Sequence, residues 1–176
     1  YQKVTDIFAT SFDYDSGSET ARIFYSKVQN KLHYAITGHT AAELISSRAD
    51  HEKEFMGLSS WKNSPNGKIL KSDTEIAKNY LDKEELEELT ILINMYLDYA
   101  ELQAKRHKLM YMKDWAEKLD GFLEFNEYKI LTNKGKISMG EAKEKASEEY
   151  GHFRKIQDKY YVSDFDKLLE DVKKME

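Results

Sequence analysis

The amino-acid sequence predicts an all-α fold: a single domain of about six to eight helices built around one long central helix. Three observations carry this reading. Capping pairs, in which a Ser, Thr or Asp is followed three residues later by an acid that bonds back to the cap, recur at Thr40/Glu43, Ser72/Glu75, Asp82/Glu85, Ser138/Glu141 and Ser163/Asp166. The stretch from Asp82 to His107 carries apolar residues at helical spacing on two faces. The chain has a single proline, no repeat, and no convincing alternation of apolar and polar residues of the kind a half-buried strand needs.

The elements follow in order. Tyr1, Val4, Ile7 and Phe8 already show helical spacing, and there is no initiator methionine, so the chain reads as a fragment that begins inside an amphipathic segment. The run from Asp13 to Ser18 is a turn. Its glycine falls one place early for a calcium loop and its terminal Glu19 lies too close, so Gly17 and Ser18 lead into a helix reaching about Thr37. Gly38-His39 joins that helix to the one capped by Thr40. Phe55 to Lys71 holds Pro65, Asn66-Gly67 and Trp61 and is the long irregular loop. A short helix follows Ser72.

On the helix from Asp82 to His107, Leu86, Leu89, Ile93, Tyr96, Ala100 and Ala104 form one stripe, and Leu92, Met95, Tyr99 and Leu102 a second. Apolar on two faces and about 40 Å long, it is expected to be covered on both. Met112 to Ile130 supplies a neighbour through Trp115, Leu119, Phe122 and Leu123. A basic turn around Gly135 precedes the helix capped by Ser138, and Ser163 opens a final one.

Composition restricts the function classes. With 176 residues, 40% hydrophobic and 34% charged, the chain is long enough for one real core and too polar for a membrane span. The absence of cysteine excludes disulfides, thiolate metal sites and a thiol nucleophile, and fits a cytoplasmic location. Net charge is −5, with lysines interspersed among acids, so a nucleic-acid backbone finds no basic stripe here.

Several residues are candidates for chemistry. His33 and His39 are six apart, which does not place them on one helical face, so no metal site is expected from them and no cofactor is assigned. His39 stands just before the Thr40 cap, where free N–H groups and the helix dipole favour an anion; the alternative is a tight turn with the imidazole bonded to a carbonyl. Arg48 and Asp50 close the next helix, either as an anion clamp or as an ion-pair cluster. Lys71, Ser72, Lys78 and Asn79 offer a second helix start with positive charge, or solvated surface. Trp61 either folds back on the core or offers a contact surface. Asn94, Asp98 and Glu101 share one helix face and Asp120, Glu124 and Glu127 another. Neither row carries the Glu-x-x-His pair of a di-iron bundle, and both read as solvated.

Long strings then point to a family. Val28-Gln-Asn-Lys-Leu-His-Tyr-Ala-Ile-Thr-Gly-His-Thr-Ala-Ala-Glu-Leu-Ile45, Met56-Gly-Leu-Ser-Ser-Trp-Lys62, Lys71-Ser-Asp-Thr-Glu-Ile-Ala-Lys-Asn-Tyr-Leu81, Met112-Lys-Asp-Trp-Ala-Glu-Lys-Leu-Asp120, Ile130-Leu-Thr-Asn-Lys-Gly-Lys-Ile-Ser138 and Ser163-Asp-Phe-Asp166 resemble the RhuM family of bacterial virulence-associated proteins. The resemblance covers nearly the whole chain and implies no established biochemical activity. It implies a two-part protein in which a helix-turn-helix-like DNA-binding region precedes this one, so DNA would be met only through that region. This stretch would be an assembly, regulatory or partner-binding module, pairing with a second copy or another protein.

Leu32-His-Tyr-Ala-Ile-Thr-Gly-His39 is also similar to the approach to a Fic-type AMP-transferase motif. However, the Thr-Ala-Ala-Glu-Leu-Ile that follows lacks that motif's Pro-Phe, acid, Gly-Asn-Gly loop and Arg. The competing expectation is therefore a phosphate- or nucleotide-handling enzyme with His39 as base or nucleophile and Arg48, Lys71 and Lys78 as anion ligands. It requires His39, Arg48, Asp50 and the Ser72 helix start to meet in one pocket.

Overall fold

A computed structural model describes residues 2–162, and the Ser163/Asp166 helix start lies outside them. Seven α-helices and two single 3₁₀ turns make up the described chain, with no strand among them: α1 (Gln2–Ala9), α2 (Glu19–Thr37), α3 (Ala41–Arg48), a 3₁₀ turn at Glu54–Gly57, α4 (Lys71–Thr74), a 3₁₀ turn at Ala77–Tyr80, α5 (Lys83–Lys105), α6 (Met112–Phe125) and α7 (Met139–Tyr160). The all-α expectation holds. None of the described helices is long and apolar enough to cross a membrane.

Caps decide where most helices begin. Thr40, Asp82 and Ser138 each accept from the N–H three residues on, and Glu43, Glu85 and Glu141 bond back to the cap N–H, which completes three reciprocal boxes. Ser18 caps α2 alone, and Gly38 ends it at φ 73°, a left-handed conformation that glycine adopts without a Cβ penalty.

Ser72 departs from expectation. It lies inside α4, because the Asp73 carboxylate accepts the Leu70 N–H at 2.8 Å and the Lys62 N–H at 3.1 Å, which starts the turn two residues early. A buried carboxylate with two loop donors outcompetes an exposed hydroxyl.

Packing runs from α1 and α5 through α2 to α3, and from α3 to α7, while α6 closes against α2 and, through Trp115, against α5. The core gathers Phe8, Leu32, Leu44, Ile45, Tyr80, Leu81, Leu92, Trp115, Leu119 and Leu123, with Ala142 and Ala146 letting α7 approach closely. The long helix α5 is covered on one side only. Its buried stripe is Leu89, Leu92, Tyr96, Ala100 and Gln103, whereas Met95, Leu102 and Ala104, expected inside, are exposed. Its main neighbours, α1, α2 and Trp115 of α6, leave those positions uncovered.

Candidate functional site

The sequence candidates divide among several places, and Glu85 at the start of α5 anchors the first. Arg48, at the end of α3, grips Glu85 through both guanidinium nitrogens at 2.6 Å, and one of them also donates to the Tyr80 carbonyl at 2.7 Å. The fork raises the Arg48 pKa and holds the Glu85 carboxyl below its usual range. Arg48 is thus spent on joining α3 to α5. Replacing it with alanine leaves a largely shielded carboxylate and a carbonyl without their donor. We expect a loss of about 2 kcal/mol in urea unfolding, between the values for exposed and buried pairs. Arg48→Lys, which keeps the charge but not the fork, is expected to recover only part of it.

His39 takes the turn geometry. It is exposed, its Nδ1 is 2.9 Å from the Thr37 carbonyl, and its backbone N–H donates to Thr37 Oγ1. The α3 start behind it is occupied by the protein itself. Thr40 N–H donates to Glu43 Oε2, Ala41 N–H to Asn30 Oδ1, and Glu43 N–H to Thr40 Oγ1. The other Glu43 oxygen accepts the Lys136 N–H at 2.7 Å, which docks the 132–136 turn on this helix end. Burial pushes Glu43 upward, but these donors and the nearby His39 hold its pKa below the usual value. An anion would have to displace Glu43 to reach those N–H groups. Gly135, at φ 82°, makes the docking possible, since a Cβ there would stand 2.9 Å from Thr40 Cγ2 and Oγ1.

The remaining candidates do not join His39. Trp61 folds onto the core, donating its indole N–H to the Gly67 carbonyl at 2.7 Å and meeting the Phe55 ring at a tilt of 36°. Asn79 is buried as a strut, its amide donating to the Asp73 carbonyl. Lys71, Ser72 and Lys78 are exposed, and a one-turn helix gives them no dipole of consequence. His33 is buried in α2, and desolvation pulls its pKa down to about 4 despite the attraction of Glu85.

Asp50 sits in a second cluster, which the residue pattern had not disclosed. One donor atom each from Asp50, His51 and Glu149 lies within 4.8 Å of the others. Glu149 Oε2 accepts both the His51 backbone N–H at 2.8 Å and the Nδ1 proton at 2.5 Å, and the His152 ring stands 5.0 Å from that of His51. The signal in the sequence was the Glu149-Tyr-Gly-His152 spacing on α7, which belongs with Asp50-His51 only once the chain is folded.

A cleft of about 1050 Å³ between α2 and residues 131–134 gathers Arg22, Lys27, Lys31 and Lys134 against Glu19. Lys31 is held there by both oxygens of Asp120 at 2.5 Å.

These arrangements define an all-helical domain in which Arg48, Asn79, Glu43 and Glu85 serve as caps, struts and interhelical ion pairs. The model of the family described as Virulence protein RhuM matches residues 1–162, and the chain belongs to that family. Neither the curated proteins nor the solved structures contain a match to it.

Proposed function

We propose that this domain is an assembly module that pairs two copies of the chain, within a protein whose DNA-reading part lies outside the residues described here. The carrying observation is the uncovered face of α5. Ile91, Met95 and Leu102 are 61%, 41% and 43% exposed and recur at spacings of four and seven, so they form one stripe.

The ends of that helix favour a second copy as the occupant. Its start carries Glu84, Glu87 and Glu88 against the single Lys83, Glu85 being paired with Arg48, and its end carries Lys105 and Arg106, followed by His107 and Lys108. A two-fold axis across the stripe sets the acidic start of each helix beside the basic end of the other, whereas parallel pairing sets like against like. Symmetric pairing of this kind matches the two-fold arrangement that many DNA-reading proteins use. The catalytic alternative is weakened because Arg48, Trp61 and the α3 start already have partners inside the fold.

Sedimentation velocity tests the reading. A dimer is expected at tens of micromolar, weakening with added salt as the end-to-end charges are screened. Ile91→Glu/Leu102→Glu is expected to be monomeric with unchanged helical circular dichroism. A monomeric parent chain at about 100 µM, near the weak end of useful affinity, overturns the proposal.

A further inference from the structure

We propose that Asp50, His51, Glu149 and His152 form a binding site for a divalent transition-metal ion of the zinc type. The residues come from two packed elements. Asp50 and His51 follow the end of α3, and Glu149 and His152, one turn apart on α7, project to the same side of their helix.

The carboxylates are already oriented by the backbone. Glu52 N–H holds Asp50 Oδ1 at 3.0 Å and His51 N–H holds Glu149 Oε2 at 2.8 Å, which leaves Glu149 Oε1 available and Asp50 Oδ2 with only its long ion pair to Lys53. Lys145 Nζ donates to the Ser46 carbonyl at 2.6 Å while still attracting Glu149, and Lys53 reaches no closer than 3.9 Å to Asp50.

A simple ion pair accounts for one histidine and one carboxylate. It does not account for a second carboxylate with a donor within 4.8 Å of both, nor for a second imidazole 5.0 Å from the first. Two imidazoles with two carboxylates suit zinc and its neighbours, whereas magnesium and calcium take oxygen ligands. Tetrahedral zinc sets its donors about 3.4 Å apart. For Asp50, His51 and Glu149, reaching that spacing from within 4.8 Å takes small side-chain rotations, which half-exposed groups can make, and the exposed His152 ring, 5.0 Å from that of His51, is free to turn in. The ion takes the place of the proton that His51 shares with Glu149 and fastens α7 to the end of α3.

Calorimetric titration of the chelator-treated 176-residue chain with Zn²⁺, paired with Co²⁺ absorption, tests the site. One ion per chain is expected, with a Tm rise of about 5–10 °C at 100 times Kd and a visible cobalt band characteristic of nitrogen and oxygen ligands. His152 is exposed, so His152→Ala is expected to fold as the parent does while weakening Zn²⁺ at least tenfold; His51→Ala is expected to do the same. His39→Ala and His107→Ala, away from the cluster, are expected to bind as the parent does. Absence of saturable Zn²⁺ and Co²⁺ binding to the parent overturns the site, as does binding unchanged in both His51→Ala and His152→Ala.

Discussion

Trp115→Ala is expected to lower the unfolding free energy by about 3–5 kcal/mol, the largest single-residue effect in this protein. The indole is 1% exposed and lies where α6 meets α5. Its ring meets Tyr96 and Tyr99 edge to face at 6.1 and 6.3 Å, and the Tyr96 hydroxyl donates to the Trp115 carbonyl at 2.5 Å. Truncation removes those ring contacts and opens a cavity that two helices cannot close without moving the Tyr96 hydroxyl off its acceptor. Burial drives the Tyr96 pKa far above its ordinary value, so that hydroxyl stays a neutral donor.

Trp115→Phe makes the interpretation specific. Among the described residues the indole N–H has no hydrogen-bond partner. Phenylalanine therefore loses volume but also removes a buried polar group, and a cost nearer 1 kcal/mol is expected. Equal losses for the two variants in urea unfolding would mean that packing at this contact is not what stabilises it.

The second large effect is acid sensitivity from His33. Its folded pKa of about 4 lies below the ordinary 6.5, so the unfolded chain binds the proton more readily. Stability is then full above pH 6.5, falls as pH drops through the window between 6.5 and 4, and levels off below it. The whole window corresponds to about 3 kcal/mol. His51 acts in the opposite direction, because its bond to Glu149 raises its pKa, while Glu85 and Glu43, held low by their donors, lose stability only at more acid pH. Comparing the parent with His33→Gln cancels those contributions. The slope of unfolding free energy between pH 7 and 5 is expected to be shallower in the variant, and an unchanged slope would place His33 in a wetter environment than its burial indicates.

Local signals were legible wherever one segment could satisfy its own needs. The Thr40, Asp82 and Ser138 boxes close within four residues, and the Gly38 turn needs only glycine's freedom at φ 73°. Ser72 failed as a cap because its competitor, Asp73, gains a second donor from Lys62 in the folded loop. At His39 the two readings, anion site or tight turn, stay open in the sequence because the groups that surround it are distant in the chain. Asn30 and Lys136 come from either side to engage the α3 start, and neither announces itself in the Gly-His-Thr string. The second stripe of α5 was apolar in the sequence, but composition does not say which neighbours a helix will have.

What the sequence by itself determined is the helical class, most helix starts, the buried face of α6, and membership of the RhuM family through long ordered strings. These rest on interactions within three or four residues or on composition. Only the tertiary structure decided that Arg48 belongs to Glu85, that Trp61 turns inward, that α5 keeps one apolar face open, and that Asp50-His51 meets Glu149 and His152. Those pairings span 37 to 98 residues for Arg48–Glu85 and His51–Glu149. Ion pairs and donor clusters depend on distances of a few ångströms, and those distances are set only when helices far apart in the chain pack against one another.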